Sequence, residues 1–132
     1  MKRALSRDFH PPAPLVPVVV RAPGEAEGQR LEGKIDTGAD LCAVPAHVVA
    51  ALDLPPVRTV RAASFEGVLH EVILYRCDLS LAGTTFTAVE ALLTRRPYAI
   101  VGRNVLQKLV VRVDGPRQQL DISAPRRQRR RS

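Results

Sequence analysis

Turn residues set the length scale of this chain. Pro17 interrupts the apolar run 15–20, and Pro23, Gly24 and Gly28 follow it. Pro55 and Pro56 close the segment 46–52, and Gly67, Gly83 and Gly115 punctuate the extended stretches beyond. Runs this short, β-branched or alternating, read as strands with little helix. Residues 15–21 form one strand, with Pro17 placing it at an edge because proline cannot donate to a ladder. Leu31, Gly33 and Ile35 alternate with Glu32 and Lys34, a period-two strand leading to Asp36. Residues 41–44 are a further apolar segment, and Pro45 opens a helix of about two turns over 46–52. Residues 57–63 and 68–80 pair as a hairpin, and 81–93 continue as another with Gly83 at its turn. Residues 98–101 are a short strand, 103–109 a short helix, and 110–113 with 118–122 flank the turn dipeptide Asp114-Gly115. The sum is an all-β class, a barrel or sandwich, with one or two short helices.

A chain of 132 residues supports one core. We expect an irregular N-terminal arm over 1–14, a folded domain over 15–123 and an Arg-rich tail over 124–132. The formal net charge of +7 belongs to that tail: Arg126, Arg127, Arg129, Arg130 and Arg131 supply five of the 20 basic residues, leaving 15 against 13 acids. A like-charge block at a terminus is ordinarily solvated, and contact with an anionic partner, nucleic acid or membrane, is the other reading. Two cysteines make no disulfide framework, the proline-broken start is a poor leader, and no apolar run approaches roughly 18 residues. A soluble, cytoplasmic protein is expected. His10, His47 and His70 lack ligand spacing with each other or with the cysteines, so no metal or other cofactor is expected.

The chemistry is concentrated in Asp36-Thr37-Gly38-Ala39-Asp40. A carboxylate at the mouth of a strand, followed by glycine, lies on a loop held by rigid structure, where reactive groups tend to sit. Alone, Asp-Thr-Gly reads as a polar turn. About 65 positions later stands Ile100-Val101-Gly102-Arg103-Asn104, two apolar residues running into Gly-Arg and a helix start.

The two motifs together, in this order and spacing, resemble the retropepsin-like aspartic proteases, closer to bacterial and cellular members than to viral ones. That resemblance, over about residues 15–123, implies a single-domain acid-protease barrel and an aspartic endopeptidase hydrolysing peptide bonds. With one Asp-Thr-Gly per chain, it implies a homodimer in which two copies of Asp36 make the dyad. It assigns Thr37 to a hydroxyl contact across the dimer axis and Gly38 to the substrate backbone. It pairs Asp40 with Arg103 as a structural ion pair beside Gly102, and lines or underlies the pocket with Ile100 and Val101. Ser64, Phe65, Glu66 and Gly67 become the tip of a flap, poorer in glycine than viral flaps and carrying an unusual charge at Glu66. Ala39 supplies no hydroxyl to the catalytic carboxylate, which implies a mildly acidic optimum of roughly pH 5–6. Two other functions fit the same residues: a non-catalytic binding domain on this fold, and an adaptor whose basic tail binds RNA or membrane.

Overall fold

The computed structural model describes residues 1–63 and 66–125. Ten strands and two short helices are assigned among them: β1 (Lys2–Ala4), β2 (Leu15–Arg21), β3 (Gln29–Ile35), β4 (Cys42–Pro45), α1 (Ala46–Ala51), β5 (Pro56–Ala63), β6 (Leu69–Leu81), β7 (Thr84–Thr94), β8 (Ala99–Val101), α2 (Arg103–Leu106), β9 (Val110–Asp114) and β10 (Gln119–Ser123). The seven-stranded sheet runs β2-β3-β8-β4-β7-β6-β5, and an additional β2–β6 pairing closes it on itself.

Closure depends on the length of β6. Its first half pairs with β5, from Tyr75 back to Leu69. Its second half pairs with β2, Asp78–Ser80 against Val19–Arg21. β7 lies along its other side. Six strands thereby form a barrel, and the β5–β6 hairpin projects from it. The strand 15–21 is therefore an edge only in part: Pro17 sits opposite Glu32 of β3, in the stretch that β6 does not reach. Proline's missing donor is tolerated there because no second ladder needs it.

Alternation fills the interior. Val16, Val18 and Val20 of β2 are fully buried, as are Leu74 of β6, Val101 of β8 and Leu120 and Ile122 of β10. Each contributes about 1.5–3 kcal/mol by leaving water. One buried acid is built into this core. Asp78 accepts hydrogen bonds from Gly24 N–H through Oδ2 and from Ala88 N–H through Oδ1, each 3.0 Å. The register between β6 and β7 shifts here, between Cys77 and Leu79, and Ala88 has φ 54°. The carboxylate satisfies donors that a bulge and a loop leave without ladder partners.

The expected irregular arm is corrected at its start. Lys2–Ala4 is a strand, pairing antiparallel with Gln119–Asp121 of β10 to make a three-stranded sheet β1-β10-β9. The Met1 ammonium and its carbonyl both bond Ile122. Local sequence could not announce this, because the partner edge is supplied by the far end of the chain. The helices are shorter than expected, ending at Ala51 and Leu106, each continued by a turn. The tail 126–132, and with it the expected anionic partner contact, lies outside the described residues. None of the described helices is long and apolar enough to cross a membrane.

Candidate active site

β3 delivers Asp36 to the rim of the barrel. Gly33 and Ile35 turn inward and are buried, so Lys34 and Asp36 share the opposite face. The Asp36 N–H donates to Val101 O at 3.1 Å, which extends the parallel β3–β8 ladder by one residue. The chain then folds back on the carboxylate. Gly38 N–H donates to Asp36 Oδ1 at 2.9 Å, and Ala39 N–H donates to Asp36 O at 3.2 Å. A Cβ at position 38 would sit 3.2 Å from that same Oδ1, so glycine gives the carboxylate room to receive the bond. Among the described residues, Asp36 Oδ2 accepts no hydrogen bond. Asp36 and Ala39 are half-buried, while Thr37, Gly38 and Asp40 are exposed.

The second motif holds this loop from the side. Arg103 N–H donates to Ala39 O at 2.9 Å, and Asn104 N–H donates to Asp40 O at 3.2 Å. The Arg103 guanidinium pairs with the Asp40 carboxylate and reaches Thr37 O at 3.4 Å. The expected ion pair is thus formed, but in this chain it is open to solvent, with the side chains 56% and 82% exposed. The chain turns tightly at Gly102. A Cβ there would collide with the Leu41 carbonyl group and come within 2.9 Å of Cys42 N. Glycine is required because α2 begins directly against the start of β4.

Asn104, beside the residues singled out from sequence, does more positioning than expected. Its Oδ1 accepts from Cys42 N–H at 3.0 Å and from the Cys42 thiol at 3.2 Å, and its Nδ2 donates to Glu90 O at 3.0 Å. One side chain therefore ties α2 to β4 and β7. The Cys42 Sγ in turn accepts from Gly102 N–H at 3.4 Å. Burial is the main cause that pushes the Cys42 thiol up to about 11, against a smaller opposing pull from the Gly102 N–H. Burial likewise pushes Cys77 up, to about 12, with Cys42 and Asp78 nearby adding to it. The sequence signal for Asn104 was its place directly after Gly-Arg at a helix start.

Ile100 and Val101 divide the work between two faces. Val101 is fully buried beneath the loop, whereas Ile100 is opposite Lys34 in the β3–β8 register and shares its outward face. The segment expected as a flap falls on the β5–β6 hairpin. Arg58 pairs with Leu74, Val60 with Val72 and Ala62 with His70, so these residues continue the face on which Leu74 is buried. Glu66 and Gly67 are exposed, Gly67 with φ 78°. Ser64 and Phe65 lie outside the described residues.

A family model described as aspartyl protease matches residues 22–114, more than half of the chain. No curated protein sequence matches. Among solved structures, a retropepsin-like aspartic protease from Rickettsia conorii superposes with a TM-score of 0.62 at 15% identity, covering 96% of this chain and 92% of that one. The foamy viral protease-reverse transcriptase, solved with an RNA/DNA hybrid, superposes with a TM-score of 0.50 at 21% identity, covering 72% of this chain and 12% of that one. At these identities the likeness is one of fold: the barrel is the retropepsin-like one.

Proposed function

Because this chain belongs to the aspartyl protease family, we propose that it is an endopeptidase that works as a homodimer, with Asp36 facing Asp36 of the partner subunit across a two-fold axis. The observation that carries this reading is the Asp36 loop. It presents one carboxylate at the barrel rim, with Oδ1 fixed by Gly38 N–H and Oδ2 left for a reactant. The other acid of the loop, Asp40, is committed to Arg103. A second carboxylate must come from another copy, and C2 is the commonest symmetry for such an assembly.

Two carboxylates roughly 3 Å apart share one proton, and aspartic proteases are the standard instance of this behaviour. The ionised member takes a proton from a water held between them as that water attacks the peptide carbonyl. The protonated member donates to the reacting amide. The backbone bonds from Arg103 and Asn104 to the loop keep the carboxylate in place without moving at the moment of reaction. In this proposal Thr37 bonds across the axis, the Gly38 carbonyl meets the substrate backbone, and Glu66 and Gly67 close over the peptide. The mildly acidic optimum expected from Ala39 and the cytoplasmic location belong to the same proposal.

Asp36→Asn is the direct test. It removes both carboxylates of the dyad while keeping the Oδ1 acceptor for Gly38. Peptide-library cleavage should vanish, with the circular dichroism spectrum and the assembly unchanged. Cleavage at the wild-type rate by the Asn variant would refute the assignment.

A further inference from the structure

The face of β3 that carries Asp36 also carries Lys34, two residues earlier, and Ile100 lies opposite Lys34 on β8. From the segment between β1 and β2, Phe9 reaches this spot. The Lys34 ammonium stands 4.9 Å from the centre of the Phe9 ring. Phe9 in turn meets Tyr98 edge to face, with ring centres 5.2 Å apart and planes at 76°. Arg96 donates to the Tyr98 hydroxyl at 2.8 Å, its guanidinium carbon 5.9 Å from that ring's centre. Two aromatic rings, with Ile100 in register opposite Lys34, thereby give an apolar cluster on the face of β3 that carries Asp36, with a cation at either end.

Neither cation is committed to an ion pair among the described residues. Of the two acids that flank Lys34 on this face, Glu32 is held by Arg3 through bonds of 2.6 and 2.7 Å, and Asp36 accepts the Gly38 N–H. A cation held against an aromatic face retains its charge and its hydrogen-bond donors for a third partner. Aromatic walls meanwhile accept the methylenes of an extended side chain. The chemistry that fits is a short apolar stem ending in a carboxylate.

We propose that Lys34, Phe9, Tyr98 and Arg96 form a substrate subsite that selects peptides with glutamate or aspartate close to the scissile bond. This deepens the protease reading and rests on it. It also assigns the N-terminal arm a role in specificity, since Phe9 holds Lys34 in place.

The test separates recognition from catalysis by using full-length Asp36→Asn protein. Fluorescein-labelled octapeptides of apolar sequence, with one Glu or Gln scanned through the central positions, are titrated by anisotropy. At the best position, Glu should bind about five- to tenfold more tightly than Gln, and added salt should shrink the difference. Lys34→Glu, placed in the same background, should reverse the ranking toward Lys-containing peptides. Lys34→Met, which keeps the stem on Phe9, should level Glu and Gln. Equal binding of Glu and Gln peptides, no binding of either, or an unchanged ranking in both Lys34 variants would overturn the proposal. Wild-type protein on the same peptides reports separately on the protease reading: a Glu preference in binding with no cleavage anywhere defeats that reading and leaves the subsite standing.

Discussion

At the residue scale, the loop around Asp36 is held mainly by backbone hydrogen bonds, and the side chains around it differ in what they contribute. The Asp40–Arg103 pair is exposed, so its coulombic gain is screened and it is worth only about 0–1 kcal/mol. Arg103→Ala should therefore shift the urea midpoint of the isolated chain very little. The same substitution measured on an assembled dimer tests coverage: a loss above about 3 kcal/mol there would mean that a second copy buries the pair. The two thiols differ from this pair in being enclosed. Cys42 and Cys77 are buried and pushed up to about 11 and 12, so at pH 8 almost none of either is thiolate, the reactive form. Iodoacetamide at that pH should label neither in the folded protein and both in urea. Rapid labelling of the native protein, followed by mass spectrometry, would contradict the enclosed environment.

At the scale of elements, β6 is the strand on which the architecture turns. It pairs with β5 along its projecting half, with β2 along its barrel half and with β7 on its other side. Asp78 stands at the change of partner and satisfies two backbone donors from different segments. Asp78→Ala leaves those N–H groups unpaired in a buried setting, at a cost of about 2–3 kcal/mol. The expected result is a clear fall in the denaturation midpoint with an unchanged slope. A loss under about 0.5 kcal/mol would show that water replaces the carboxylate without penalty. The strand pattern itself was legible. β-branched or alternating runs and their bounding turn residues marked β2, β3 and the β5–β6, β6–β7 and β9–β10 hairpins because both signals are local.

At the scale of the molecule, the protomer holds one Asp36 and the proposed chemistry needs two. Activity per chain should then fall faster than linearly on dilution, and sedimentation should show a dimer dissociating over the same concentrations. A sedimenting monomer with full specific activity would end the dyad proposal.

What the sequence determined by itself was the strands from β2 to β10 and the five residues of the Asp36 loop. Alternation, turn residues and the five residues from Asp36 to Asp40 all act within a few positions of one another. The pairing of Asp40 with Arg103 was also readable, through the resemblance that linked the two motifs. Only the tertiary structure decided that the ion pair is solvated, that Asn104 ties α2 to β4 and β7, that Lys2–Ala4 completes a sheet with β10, and that Phe9 reaches Lys34 and Tyr98. Each of these joins or depends on segments that are far apart in sequence, up to 121 residues for Met1 and Ile122. Local periodicity says that a strand has an open edge or a side chain an outward face. Which distant segment fills it follows from how the closed barrel brings the chain ends and loops together, a competition among many similar partners that no single stretch of sequence encodes.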